Sequence, residues 1–115
     1  LTAYKRRCAV TGNPTEDVLE AAHIAPHRGT HTNVVPNGLL LRADIHTLFD
    51  LHLLTITTDL RVRVSPALQA SPYMDLDDQP LQSLPDSPAQ RPARECLEGH
   101  HQECTWYAEE APALF

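Results

Sequence analysis

The order of hydrophobic patterns between residues 18 and 65 leaves few folds open to this chain. VLEAAHI, residues 18–24, and GLLLR, residues 38–42, are apolar runs of strand length, and a loop rich in Pro, Gly, Asn and Thr separates them. ADIHTLFDLH, residues 43–52, follows at once and has the spacing of an amphipathic helix. LLTIT and RVRVS, within residues 53–65, alternate on either side of a turn and predict a β-hairpin.

The flanking segments are less regular. CAVTG, residues 8–12, predicts a short strand that enters a turn. Residues 66–92 carry most of the prolines, which favours an extended or looped cover over the preceding elements. A last helix is predicted over about residues 88–107, starting near Ser87-Pro88, where a capping residue precedes a proline in the first turn.

A length of 115 residues suits one domain, and 42% hydrophobic residues favours a folded chain. The predicted class is α+β, with a strand–strand–helix (ββα) core at about 8–52 and a hairpin at 53–65. A Pro-rich cover and an acidic helical tail fill residues 66–115. The chain does not start with Met, and we expect a domain excised from a longer protein.

The net charge of −6 is spread unevenly. Residues 1–66 hold seven Lys/Arg and six Asp/Glu, a net of +1, whereas residues 67–115 hold two and nine, a net of −7. Binding of a polyanion by the first half is therefore not excluded, although no basic stripe indicates it. The chain has neither a signal-peptide pattern nor an apolar run long enough to span a membrane, so the expected location is the cytoplasm.

Three cysteines leave one without a disulfide partner. Cys96, His100 and Cys104 are four residues apart, so they share one face of the predicted helix, and Cys8 could complete a zinc site with them. The spacing is not a standard zinc pattern, and buried thiols in a reducing cytoplasm are the simpler interpretation. His101 has no assigned role.

Four polar residues between the first strand and the helix have the chemistry of a metal-dependent phosphodiesterase. A neutral imidazole, with an ordinary pKa of about 6.5, can take a proton from the attacking water, and His23 is in place for this. A side-chain amide such as that of Asn37 can hold the base still. His46 and Asp50 lie four apart on one helix face and can hold a divalent cation. Taken singly, each residue also has an ordinary structural interpretation.

The motifs AAHIAP, NGLLLRADIH and HTLFD resemble the HNH endonuclease family, also called ββα-metal nucleases. The resemblance covers roughly residues 4–66 and is nearest to the C-terminal nuclease domains of modification-dependent restriction enzymes. It implies that His23 is the general base, that Asn37 orients this base, and that His46 is a metal ligand. It also implies one divalent cation per site, Mg²⁺ or Mn²⁺, with Co²⁺ or Ni²⁺ as alternatives.

The ligand set departs from the family pattern at Ala22. Many relatives carry a metal ligand immediately before the base, and this chain has an alanine there. Asp50 is the first choice for the second ligand, as in bacterial-toxin DNases of the same superfold; Glu20 is the alternative and Asp44 the third choice.

The resemblance implies cleavage of DNA to 5′-phosphate and 3′-hydroxyl ends, with sequence or modification specificity in a separate upstream domain. Arg42 and Arg28 are the expected nucleic-acid contacts, although Arg42 could instead pair with a carboxylate and fix the helix start. Cleavage of both strands needs two active sites, which favours a homodimer without identifying its interface. The alternatives are a catalytically silent nucleic-acid-binding module of the same fold and a zinc-stapled interaction domain.

Overall fold

From residue 18 onward, the predicted order of strands and helices is confirmed by a computed structural model, which describes residues 2–25 and 35–107. The fold is a small α+β domain in which a ββα unit is followed by a second hairpin and a C-terminal helix. The elements are β1 (Leu19–His23), β2 (Gly38–Arg42), α1 (Ala43–Asp50), β3 (Leu54–Ile56), β4 (Val62–Val64) and α2 (Arg94–Gln102).

Strands β1 and β2 form an antiparallel pair whose register brings Leu19 opposite Arg42 and His23 opposite Gly38. In β2 the residues from Leu39 to Leu41 are all buried, so this strand is covered on both faces. β1 is more exposed, and Ala22 is its one fully buried residue. The site residues expected near the end of β1 therefore stand at the solvent side of a fixed strand pair.

Helix α1 begins directly after β2 and packs with Ile45, Leu48 and Phe49 in the core. These are the apolar positions that the helical spacing of the sequence predicts. The opposite face carries His46, which is partly exposed, and Asp50, which is exposed. The sequence pattern thus predicts correctly which side of α1 faces the solvent.

The second hairpin pairs Leu54 with Val64 and Ile56 with Val62, and every residue of β3 is buried. The segment after it lies against β4. Val62 donates its backbone N–H to the carbonyl of Gln79 at 2.8 Å, and Asp78 donates to the carbonyl of Val62 at 2.7 Å. In the described ranges no helix has the length and apolar character needed to cross a bilayer.

The strand predicted at residues 8–12 is wrong. The segment is a turn closed by bonds from the Gly12 N–H to the Cys8 carbonyl (2.8 Å) and from the Cys8 N–H to the Asn13 carbonyl (3.0 Å). Gly12 has a φ of 75°, a conformation in which glycine meets no Cβ clash. The apolar run correctly indicates that Cys8, Ala9 and Val10 are buried. A run this short, however, does not distinguish a strand from a buried turn.

The start and end predicted for the C-terminal helix are also wrong. Ser87 precedes a separate 3-10 turn at Pro88–Gln90, and α2 begins only at Arg94 and ends at Gln102. Arg91 is extended, with φ −74° and ψ 159°, because the residue before a proline is disfavoured in the helical region. Pro92 therefore divides the segment that sequence reasoning treated as one helix.

Candidate functional site

His23 is the last residue of β1, and its exposed side chain lines a cleft of about 590 Å³. One wall of the cleft comes from the end of β1 and from α1, including Ala21, His46 and Asp50. The other wall comes from α2. The structure therefore brings the sequence-predicted base and both first-choice metal ligands to one solvent-accessible cavity.

Asn37 lies immediately before β2, is only 4% exposed and holds the chain just after His23. Its Oδ1 accepts the Ala25 N–H at 2.8 Å, and its Nδ2 donates to the Ala25 carbonyl at 3.2 Å. The backbone carbonyl of Asn37 accepts the Ile24 N–H at 2.9 Å. Three hydrogen bonds thus fix the two residues that follow the predicted base, which is the bridging position that the sequence suggested.

His46 lies between two carboxylates, one from the strand and one from its own helix. Because a carboxylate only accepts, Nδ1–H donates to Glu20 Oε1 at 2.7 Å. Nε2 lies 3.2 Å from Asp50 Oδ2 and, in a neutral ring whose proton is on Nδ1, offers that carboxylate only a lone pair. Two electron-rich atoms facing each other are stabilised only when a proton or a metal cation lies between them. Of the two donor atoms at this point, the carboxylate oxygen suits Mg²⁺ or Mn²⁺, and the imidazole nitrogen favours the transition metals.

Glu20 and Asp50 cannot both share one cation with His46, because they contact opposite ring nitrogens. Glu20 stands where a carboxylate fixes the tautomer and the orientation of a ligating histidine. Among the described residues, no three His, Cys, Asp or Glu side chains are arranged to enclose a metal ion. A cation held by His46 and Asp50 would therefore take its other ligands from water and phosphate, as Mg²⁺ commonly does.

Arg42 and Asp44 form an ion pair at the start of α1, away from the cleft lining. The guanidinium donates twice to the carboxylate, at 2.6 and 3.0 Å, and the Tyr73 hydroxyl donates to Asp44 Oδ2 at 2.7 Å. The bond from Arg42 lowers the pKa of Asp44 to about 2. Of the two roles considered for Arg42, the structure has the carboxylate pair, and it leaves Asp44 a poor candidate for a metal ligand.

Helix α2 is the part of the site that sequence reasoning missed. Glu95, Gly99 and Glu103 line the cleft opposite His23 and Asp50. Because these residues are spaced by four, the sequence predicts that they share a helix face. The sequence around them does not indicate which other element that face packs against.

His100 lines the inner end of the cleft as a buried and fully bonded residue. Its Nε2–H donates to the Phe49 carbonyl at 2.8 Å, so Nδ1 accepts the Thr55 hydroxyl proton at 2.7 Å. The ring stacks on Phe49 with centroids 3.6 Å apart. Burial lowers the pKa of His100 to about 4, and the ring is therefore neutral near pH 7.

The four residues considered for a zinc site do not form a metal-binding group in the described part of the chain. The Cys8 sulfur accepts the backbone N–H groups of Thr11 and Arg42, at 3.4 and 3.3 Å. Burial raises the pKa of the Cys104 thiol and that of the Cys96 thiol. Arg28, the other predicted nucleic-acid contact, lies outside the described residues.

Comparisons with known proteins identify a family and a similar fold. Residues 8–57 match the family model described as HNH endonuclease. A solved structure described as the modification-dependent TagI restriction endonuclease has a similar fold, with a TM-score of 0.60 and 24% sequence identity. The match covers 90% of this chain and 35% of that chain, so this chain spans about a third of that enzyme. No curated protein is significantly similar in sequence.

Proposed function

This chain belongs to the HNH endonuclease family, and from that membership we propose that it hydrolyses DNA phosphodiester bonds with one divalent cation, Mg²⁺ or Mn²⁺. Co²⁺ and Ni²⁺ are the further ions to be tested. The observation that carries the proposal is the convergence of His23, His46 and Asp50 on one cleft, with His46 held between two carboxylates.

Each residue has a defined task in the proposed reaction. His23 takes a proton from the water that attacks phosphorus. Asn37 keeps the backbone after His23 in place through its bonds to Ala25, which would hold the base at the cleft. Glu20 accepts the Nδ1–H of His46, which orients Nε2 toward the Asp50 carboxylate and a shared cation position. A bound cation would neutralise charge on the phosphate and on the leaving oxygen.

The finer proposal is that this is the cleavage domain of a restriction-type enzyme. It rests on the fold that the chain shares with the TagI enzyme and on the fact that it spans only 35% of that chain. Sequence or modification specificity would then belong to another part of the full-length protein. Arg28 remains the proposed DNA contact of this domain, whereas Arg42 is engaged by Asp44; a homodimer would supply the second active site for double-strand cleavage.

A plasmid-nicking assay with each of the four metals, with and without EDTA, tests the function. Wild-type protein should nick DNA only with metal, and His23→Ala should lose about 10²–10⁴-fold in rate, the usual contribution of general acid–base catalysis. Gln102→Ala, an exposed residue on α2 outside the cleft lining, is the matched control and should cleave normally. Circular dichroism and Mn²⁺ calorimetry should show the His23→Ala protein folded and able to bind metal.

Two outcomes would contradict the proposal in different ways. Equal rates for His23→Ala and wild type would remove the general-base role. DNA binding without nicking in any metal would instead favour the catalytically silent module.

A further inference from the structure

His52 has a backbone conformation that normally belongs to glycine. Helix α1 ends with bonds from the His52 N–H to the Phe49 carbonyl (3.1 Å) and from the Leu53 N–H to the Leu48 carbonyl (2.9 Å). This bond pair is the Schellman motif, whose left-handed position is usually occupied by glycine because a Cβ is unfavourable there. His52 occupies that position with a φ of 59°. A histidine here stores strain that glycine would avoid.

The strain at His52 is located at the cleft. Five non-glycine residues among those described have a positive φ, and His52 is the one that lines the cleft with His23 and His46. The others lie in turns outside the cleft lining, at Lys5, Arg6, Leu60 and Asp78. Strained backbone conformations cluster at functional sites, so a strained residue in the cleft indicates a function for its side chain.

The position of His52 is fixed on two sides. The Trp106 indole N–H donates to the His52 carbonyl at 2.7 Å. The His52 ring lies against the ring of His100, with centroids 5.1 Å apart and an interplanar angle of 34°. His100 is itself held by Thr55 and Phe49, so the wall behind His52 is rigid. The backbone of His52 is thus held and its ring rests against a fixed neighbour, so the residue loses little freedom on binding a ligand.

The imidazole of His52 has hydrogen-bonding capacity that the described part of the protein does not use. Neither ring nitrogen makes a hydrogen bond to a described residue, although the ring is only half-exposed and lines the cleft. An imidazole carries at least one N–H whether neutral or charged. Phosphate oxygens are the acceptors that a nucleic acid presents most often to proteins.

From these observations we propose that His52 is a further substrate-contacting residue, whose ring N–H donates a hydrogen bond to a phosphate oxygen of DNA bound in the cleft. This assignment rests on the proposed function, because it takes DNA as the occupant of the cleft. The contact holds the strand beside His23 and does not take part in the chemical step.

The decisive variant is His52→Gly, studied in the full chain with plasmid DNA and Mn²⁺. Removing the ring deletes the contact, while glycine relieves the left-handed strain. We expect KM to rise about tenfold or more, as for loss of a hydrogen bond to a charged group, with kcat little changed. The melting temperature should stay the same or rise.

Asp78→Gly is the matched control. It relieves the same kind of strain, at a φ of 62°, on an exposed residue outside the cleft lining whose carboxylate pairs with Arg61, so KM should stay at the wild-type value even if the melting temperature shifts. A His52→Gly protein with unchanged KM and a lower melting temperature would overturn the proposal, because His52 would then serve only to support His100.

Binding measurements keep this proposal separate from the cleavage proposal. Fluorescence anisotropy with a short labelled duplex would compare His23→Ala with the His23→Ala/His52→Gly double variant. Weaker binding by the double variant supports the His52 contact even if the wild-type protein does not nick DNA. Equal binding, or no binding by either protein, overturns it.

Discussion

His46 and His100 line the same cleft and are held in opposite ways. His46 is partly exposed and lies between the carboxylates of Glu20 and Asp50. His100 is buried, and its ring nitrogens are bonded to a hydroxyl and a carbonyl, which are uncharged. The first arrangement leaves one nitrogen facing an anion across a gap that a cation can fill, whereas the second leaves no vacant acceptor.

The comparison separates a group suited to function from one suited to stability. A neutral ring with both nitrogens satisfied adds rigidity, because any change of protonation or partner breaks a buried hydrogen bond. A ring between two carboxylates can exchange a proton for a metal ion with little change in its surroundings. Residue type and location in a cleft do not distinguish the two; their hydrogen-bond partners do.

The largest expected effect is on folding stability, from His100→Ala. The substitution removes a ring stacked on Phe49 and leaves the Thr55 hydroxyl and the Phe49 carbonyl without their partner. We expect a loss of about 3–5 kcal/mol, as for other buried aromatic truncations. Urea unfolding measures it. His46→Ala is the control and should cost less than about 1 kcal/mol; equal losses from both variants would remove the distinction.

The next effect is a loss of stability in acid. Because the pKa of His100 is about 4 in the folded state and near 6.5 when unfolded, the unfolded chain binds more protons between these values. Stability is therefore full above about pH 6.5 and falls by roughly 3 kcal/mol as the pH drops to 4. The lowered pKa of Asp44 acts in a lower window, where stability is lost as the pH falls from about 4 through 2.

Urea unfolding at a series of pH values checks this. In His100→Gln the amide can still donate to the Phe49 carbonyl but does not titrate, so its stability should decline less between pH 7 and 4 than that of the wild type. Parallel pH profiles for the two proteins would exclude His100 as the source.

The part of this comparison that sequence could predict is the local part. The shared face of His46 and Asp50 follows from their four-residue spacing, and the ββα order follows from hydrophobic periodicity. The hydrogen bond between His46 and Glu20 joins residues that are 26 positions apart in the sequence, and it forms because of the way α1 packs against β1. No local pattern fixes that packing.

Helix α2 shows the same limit more strongly. It buries one face, with Leu97, His100 and His101, but the partner of that face is set by tertiary packing. The helix begins later than the capping pattern at Ser87 predicts because Pro92 disfavours a helical conformation at Arg91. A strand is the wrong prediction for CAVTG because three buried residues in a row fit both a strand and a turn. The roles of His23, Asn37 and His46 stay predictions for the assays to test.

The metal proposal gives a graded set of effects on Mn²⁺ affinity. His46→Ala and Asp50→Asn remove direct ligands and should weaken binding most. Glu20→Gln removes only the carboxylate behind His46 and should weaken it about tenfold, near 1.4 kcal/mol. Titration calorimetry measures all three. Asp75→Asn, an exposed carboxylate elsewhere, is the control, and a larger effect at Glu20 than at Asp50 would exchange their roles.

The smallest expected effect is at Gly99, and it tests whether α2 is a wall of the site. A Cβ added at Gly99 meets nothing within 4 Å, and the residue lies inside a helix that lines the cleft. Gly99→Ala should therefore stabilise the fold by roughly 0.5–1 kcal/mol and leave nicking intact. Gly99→Phe should project a ring into the cleft and reduce nicking while the protein stays folded. Normal nicking by Gly99→Phe, measured alongside its melting curve, would mean that DNA reaches His23 without passing α2.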